Sequence, residues 1–427
     1  MAHPAGTGRQ LKIPQSSLIV AGVVALLVLG FAGERDTPKD ARAMGQLPGT
    51  SPTVRANPAA AIGDPEALLF KTLLAIRNNQ LDLALNEIDQ VIESYPTFRL
   101  AHLIKGDLLL ARRQPLTGLG NAEGAPEDRL SGLRDEARAR LARYQHERPR
   151  NRVPRYLLQL QPEQKYAFVV DSSKSTLYVF ENREGIPRYV ADYYVSAGKN
   201  GTDKYKEGDK RTPLGVYHVT TAMPREKLGD FYGSGAFPIS YPNEWDRREG
   251  RNGSGIWLHG TPSDTYSRPP RASDGCVVLT NNDLETISSK VQVGLTPVII
   301  ANDVDWVTPE ATAGLRQELG VAIERWRKDW ESLDTDRYLS HYGTNFNADR
   351  QDRKSWGEQK RSVNAGKKWV KIGVERVSMF LYPGHENLAV VTFDQKYSSS
   401  NLNNDMRKRQ YWIRENGGWK IIYEGAA

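Results

Sequence analysis

The spacing of apolar residues changes period three times along this chain, and those changes limit the architectures open to it. From Leu68 onward they recur three and four apart (Leu69, Thr72, Leu73, Ile76, then Leu81, Leu85, Ile88, Val91, Ile92), the repeat of an amphipathic helix. Pro96 interrupts the pattern, and Leu100, Leu103, Ile104 and Leu108 resume it. Near Lys165 the period falls to two. "YAFVVDSSKSTLYVFEN" reads as two strands about a polar turn, and short strands with Gly/Pro turns continue to "TPVIIAN". Beyond Thr308 the helical period returns, with Leu319, Ile323, Trp326 and Trp330 on one face and a second short helix at "DTDRYLSHY". Long strand patterns from "WVKIGVERVSMFLY" to "GWKIIYEG" end the sequence. Helices followed by an antiparallel sheet define an α+β domain.

The expected fold is therefore multidomain: a helical region over 67–155, a mostly-β domain over 164–301 and an α+β domain over 309–427. In the first of these, Thr72 set against Gly106 gives an offset of 34 residues, with Pro96 ten before Gly106. That pattern resembles the tetratricopeptide helix pair; an ordinary helical hairpin packed on its neighbour is the other reading. The region is also a candidate surface for a protein partner.

Ahead of it, Arg9 and Lys12 precede "SLIVAGVVALLVLGFAG", and no charge returns until Glu34. As a helix, Leu18 to Ala32 spans roughly 22 Å against a bilayer core of about 30 Å. Residues 1–33 therefore read as a signal peptide, or as an inner-membrane anchor if left uncleaved, and 34–66 as a flexible linker. Either way the rest of the chain is expected outside the cytoplasm, in the periplasm or cell envelope.

The net charge is +7, and residues 103–155 hold twelve Lys/Arg against seven Asp/Glu. Aromatics for base stacking are nearly absent from that strip, so nucleic acid is not expected as a partner. A solvated helix face or an acidic polymer suits the charge better. No two histidines cluster at metal-ligand spacing, and neither a metal nor another cofactor is expected.

Cys276 is the single cysteine of 427 residues. One thiol in an exported protein cannot form an internal disulfide, so it is either inert and buried or kept for reaction. In "GIWLHGTPSDTYSRPPRASDGCVVLT", Trp257 and His259 alternate onto one strand face, and Cys276 enters the next strand seventeen residues after His259. An imidazole that takes the proton of a thiol, whose free pKa is about 8.5, makes a nucleophile near neutral pH. Gly275 permits a sharp turn that aims its own N–H and that of Cys276 at a developing oxyanion.

This arrangement resembles the L,D-transpeptidase catalytic domain, the YkuD family. Ser273, Gly275, Cys276, His259 and Gly260 match its motifs, "VVDSSKSTLYVFEN" looks like its first hairpin, and "GDKRTPLGVYHV" is similar to its Thr-Pro signature. The resemblance spans residues 164–301. It implies that Cys276 attacks the carbonyl after meso-diaminopimelate in a peptidoglycan stem peptide and forms a thioester. His259 would be base and then acid, oriented by the Gly260 carbonyl, with Ser273 supporting the loop. Arg268 and Arg271 are candidate clamps for stem-peptide carboxylates, and Trp257 is a candidate wall or a core residue. His218 is a poorer candidate.

Two positions depart from the family. Asp274 stands where most members have histidine, and Val278 where many have Arg or Asn. A carboxylate beside the thiol opposes its activation, so Asp274 is expected to point away or be neutralised, with Arg271 as its partner. The C-terminal domain resembles the nuclear-transport-factor-2-like cone, an arrangement similar to cell-shape L,D-carboxypeptidases. Three functions follow: a transpeptidase whose thioester is resolved by an amine, an L,D-carboxypeptidase or hydrolase that uses water, and a non-catalytic cell-wall scaffold.

Overall fold

The computed structural model describes residues 64–427 apart from 122–123, 146–148, 150 and 349–350. The expected signal or anchor, and nearly all of the linker, lie outside the described residues. Among the described residues no helix is long and apolar enough to cross a membrane. The chain divides into two compact units, Met1–Gln145 with Asp264–Pro269, and His146–Ser263 with Pro270–Ala427.

The first unit is helical. Asp64 accepts a hydrogen bond from the Glu66 amide at 3.0 Å and Pro65 follows it, so helix α1 (Pro65–Arg77) starts with both a cap and a preset φ. Helices α2 (Leu81–Ser94), α3 (Arg99–Leu110) and α4 (Glu127–Gln145) follow. Leu69, Ile76, Ile88, Val91, Leu100, Ile104 and Leu141 close a single core among them. Helix α4 is described to Gln145, and Val153–Pro154, inside the span expected to be helical, pairs instead with Trp306–Val307 in the second unit. The basic strip is not wholly solvated either. Arg140 is buried, bonded to Glu136 at 2.9 Å and to Glu66, with its guanidinium 5.0 Å over the Phe98 ring.

Three larger sheets pack together in the second unit, beside three two-stranded ones among the described residues. Strands β1 (Tyr166–Asp171), β2 (Thr176–Arg183), β3 (Ile186–Tyr194), β4 (Gly215–His218) and β8 (Pro297–Ala301) form one, in the order β3-β2-β1-β8-β4, with only β1 and β8 parallel. Strands β5 (Gly235–Pro238), β6 (Trp257–His259) and β7 (Val277–Val278) form the second together with Met223–Pro224, and β6 and β7 run parallel. Phe168, Val170, Leu177 and Val179 from the first sheet share one core with Phe237, Leu258 and Val277 from the second. The opposite face of the first sheet, through Ala167, Val169, Phe180 and Ile299, packs on Phe380, Tyr382, Tyr411 and Ile422.

The C-terminal sheet comprises β9 (Val370–Leu381), β10 (Leu388–Ser399), β11 (Asn403–Glu415) and β12 (Gly418–Ala426), antiparallel in that order; Phe380, Tyr411 and Ile422 belong to it, and Tyr382 directly follows β9. Leu157–Gln159 adds an edge strand beside β9. The long helix Pro309–Glu331 covers the sheet's other face through Leu319, Ile323, Trp326 and Trp330, the stripe expected from periodicity. Inside this domain Lys408 and Glu424 form a buried pair at 2.5 Å, joined by Gln410 at 2.8 Å and Tyr342 at 2.9 Å, so the charges are neutralised and hydrogen-bonded.

Candidate active site

Strand register sets the histidine strand beside the strand that Cys276 enters. In the parallel pair β6/β7, Leu258 is level with Val277 and His259 with Val278. Leu258 and Val277 are fully buried in the core between the sheets. Alternation then sends Trp257, His259 and Val278 to the other face, and Cys276 lies one residue before β7. Cys276 precedes Val278 by two residues, about 7 Å along the strand direction and about 5 Å across, a diagonal that two side chains span.

His259 is almost fully buried, and its Nδ1 lies 2.7 Å from the Gly260 carbonyl oxygen. A carbonyl only accepts, so Nδ1 carries the proton and Nε2 holds the lone pair. Gly260 must be glycine. A Cβ there would fall 2.1 Å from Asn281 Oδ1, which accepts from the Ser234 amide at 2.9 Å and the Thr261 amide at 3.1 Å. Asn281 Nδ2 donates in turn to Thr261 O at 2.9 Å, and the Gly260 amide donates to Tyr232 O at 3.0 Å. The turn after the histidine is thus clasped by residues roughly twenty to thirty positions away in sequence.

Cys276 is partly exposed, and its Sγ lies 3.3 Å from Gly255 O, to which the thiol donates while protonated. Gly275 has φ +128°, and a Cβ there would meet Arg211 O at 2.8 Å and Ile256 Cδ1 at 3.1 Å, so backbone and space both require glycine. Ser273 Oγ donates to Cys276 O at 2.6 Å and accepts from the Gly275 amide at 3.1 Å. That amide, expected to face an oxyanion, is therefore engaged in holding the turn. Thr212 of the Thr-Pro signature closes the arrangement: buried, it accepts from Gly198 N at 2.8 Å and donates to Gly275 O at 2.9 Å.

The carboxylate beside the cysteine is neutralised by a residue the sequence reading passed over. Asp274 pairs with Lys199 at 2.8 Å, and the Lys199 amide donates to Ser273 O at 2.9 Å. Arg271 lies exposed on the strand Arg271–Ser273. Arg268 lies in the segment that belongs to the helical unit. Trp257 is half-buried with its ring 4.8 Å from Tyr232, and the Tyr232 and Phe231 rings stand 5.2 and 5.7 Å from His259. Tyr232 and Phe231 went unread in the sequence, because "GDFYGSG" has neither strand nor helix periodicity.

Nearby ionisable groups are set by burial and pairing. For Asp209 of the signature loop, burial pushes the carboxyl up, but the Lys204 ammonium at 2.8 Å and the amides of Lys206, Tyr205 and Arg211 outweigh it and hold it at about 2. Burial raises Asp246 to about 6 despite the Asn243 amide and Arg251. His218 faces Arg409 and Glu244; burial and then the Arg409 charge lower it to about 4, so it stays neutral. Among the described residues no group of His, Cys, Asp and Glu is arranged to hold a metal.

Comparison with known proteins assigns families to two stretches of the chain. Residues 165–300 match the family model of the L,D-transpeptidase catalytic domain (YkuD), and residues 318–425 match the Cds6 C-terminal NTF2-like domain. The solved structure of Bd1075 from Bdellovibrio bacteriovorus is 29% identical, with a TM-score of 0.57 over 65% of this chain and 98% of that one. Pgp2, the helical cell shape determining protein of Campylobacter jejuni, is 26% identical, with a TM-score of 0.53 over 63% of this chain and 95% of that one. None of the curated proteins matches the chain in sequence.

Proposed function

With residues 165–300 an L,D-transpeptidase catalytic domain and residues 318–425 a Cds6-type NTF2-like domain, we propose that this protein is an exported cysteine enzyme that acts on peptidoglycan stem peptides, as an L,D-transpeptidase, in cell-wall remodelling and cell shape. The observation that carries the reading is the parallel pairing of the His259 strand with the strand that Cys276 enters, with Nδ1 of the imidazole committed to Gly260 O. The chemistry follows from it. His259 Nε2 takes the thiol proton, and Sγ attacks the carbonyl carbon after the diamino acid. The C–N bond breaks, the leaving amine takes the proton from Nε2, and a thioester on Cys276 remains. An acceptor amine then attacks, its proton passes to Nε2, and the thiol departs. The Cys276 amide is the proposed oxyanion donor, and the half-buried ring of Trp257 beside Tyr232 is the proposed wall. Exposed Arg271 is the proposed contact for a stem-peptide carboxylate.

Water in place of the amine gives L,D-carboxypeptidase activity, and one observation favours keeping that reading. Val278, level with His259, is a buried apolar residue and offers no donor to an acceptor. Similarity to a cell shape determining protein supports a role in shape under either outcome.

The test is purified protein with a defined tetrapeptide muropeptide, with and without an acceptor amine. Exchange or crosslinked product identifies a transpeptidase, tripeptide alone a carboxypeptidase, and a thioester on Cys276 should be seen by mass spectrometry in both. Cys276→Ala should lose every product. If the wild-type protein forms none, the scaffold reading replaces both.

A further inference from the structure

The connection between the histidine strand and the cysteine turn belongs, in its middle part, to the helical unit. Asp264–Pro269 clusters with Met1–Gln145, whereas Ser263 and Pro270 on either side belong to the second unit. The helical unit receives this segment in a built site. The Tyr266 ring packs against Tyr95 and Phe98, with centroids 4.7 and 4.6 Å away, and joins the partly buried residues of the helical core. The Tyr266 amide donates to Thr97 O at 3.4 Å, and Arg99 reaches Thr265 Oγ1 at 3.5 Å. Ser267 Oγ donates at 2.6 Å to Oε1 of Glu136, which is only 1% exposed.

Glu136 is a costly residue to bury at that position. Its carboxylate is satisfied by Arg140 and by the Ser267 hydroxyl, so the loop supplies part of what makes the burial tolerable. Pro269 lies where a side chain on α4 would otherwise be: a Cβ on Gly132 would sit 3.0 Å from its Cγ. Glycine is unfavourable in mid-helix, and here it leaves room for the proline. An aromatic slot, a buried acceptor and a cleared helix face thus converge on six residues.

Both ends of the segment are tied separately. The Ser263 amide and hydroxyl donate to Asp230 at 3.2 and 3.1 Å, and Pro270 O accepts from the Ala197 amide at 2.8 Å. Six residues span at most about 20 Å, and capture by the helical unit fixes the conformation of those six.

We propose that Tyr266 and Ser267 are positioning residues for the reaction: lodged in the helical unit, they hold the His259–Cys276 connection in one conformation, and stem-peptide capture depends on that hold. The inference rests on the peptidoglycan reading above. It gives the helical unit a task within catalysis, separate from recruiting a partner. Neither residue touches the reacting atoms, so both act on substrate capture and leave the thiol's own reactivity alone.

The experiment uses the full chain with Tyr266→Ala, Ser267→Ala and Tyr266→Phe, which keeps the ring. Three readouts are compared: steady-state kinetics on the tetrapeptide muropeptide, the rate of Cys276 alkylation by iodoacetamide, and hydrogen exchange over residues 261–272. Tyr266→Ala should raise KM about tenfold with kcat changed less than about twofold, as loss of substrate positioning requires. Exchange over 261–272 should quicken, alkylation should match wild type, and Tyr266→Phe should restore KM. Quickened exchange with an unchanged KM overturns the proposal, as does unchanged exchange. Slowed alkylation in Tyr266→Ala also overturns it, because the effect would then reach the thiol. Absence of turnover in the wild-type protein sinks the peptidoglycan reading and this one with it, whereas wild-type turnover with a variant of normal KM sinks this one alone.

Discussion

Two turns carry the proposed nucleophile and base, and they are held in different ways. The cysteine turn is largely self-contained: Ser273 Oγ bonds to the Gly275 amide and the Cys276 carbonyl, all within four residues, and Thr212 adds one buried hydroxyl from outside. The histidine turn makes one local bond, from the imidazole to Gly260 O. Its other supports are Tyr232 O and the side-chain amide of Asn281, both far along the chain. A nucleophile needs a sharply bent backbone at one residue, which local chemistry can impose. A base needs a fixed ring angle on a regular strand, which only neighbours in space can impose.

Substitutions can break this contrast, beginning with the most severe. Gly275→Ala forces a non-glycine residue to φ +128° and drives its Cβ onto Arg211 O, so a stability loss of at least about 3 kcal/mol is expected in thermal unfolding. No second-site change nearby should rescue it, because the clash is with backbone. Gly260→Ala meets Asn281 Oδ1, a side chain, and is expected to cost about 2 kcal/mol. Here Gly260→Ala combined with Asn281→Ala should be less harmful than the sum of the two, with a coupling of about 1 kcal/mol. Strict additivity would show that the histidine turn is not clasped by Asn281.

Thr212→Val keeps the shape but leaves Gly198 N–H and Gly275 C=O without their hydroxyl, at an expected cost of about 1–2 kcal/mol. Exchange should rise over residues 273–278 and stay unchanged over 259–263, since Thr212 serves the cysteine turn only.

Acid gives the smallest and most selective test. Asp209 holds the loop leading to Arg211, whose carbonyl abuts Gly275. Its folded value, about 2, lies below its ordinary 3.8, so it adds stability that is present above 3.8 and lost as pH falls through 2. The cysteine turn should therefore loosen in that window before the histidine turn, whose Asn281 clasp does not titrate. Asp209→Asn should abolish the lag between the two when hydrogen exchange is followed from about pH 4 down to pH 2. If both turns loosen together in the unaltered protein, the two are not independent.

The same division governs what was legible beforehand. "SDGC" announced itself because its residues bond to one another, and the period change near Lys165 marked the start of the β domain. The stripe Leu319, Ile323, Trp326, Trp330 likewise reappears as a buried helix face. Lys199 was not found as the partner of Asp274, because it lies 75 positions earlier and meets it only when Ala197–Gly198 pairs with Arg271–Ser273. Arg140 looked like part of a solvated strip, since sequence shows charge but not the carboxylates of Glu136 and Glu66 that bury it. The Gly275 amide looked available to an oxyanion until Ser273 Oγ was seen to occupy it.

The sequence by itself determined the order of helical and strand regions, the candidate nucleophile and base, and the glycine beside each, since all of these follow from periodicity, side-chain chemistry and local backbone freedom. Tertiary structure alone decided that the His259 strand pairs with the strand Cys276 enters, that Asn281 and Tyr232 clasp the histidine turn, and that residues 264–269 fold with the helices. The physical reason is that parallel strand pairing and long-range packing join residues whose separation along the chain carries no information about their separation in space.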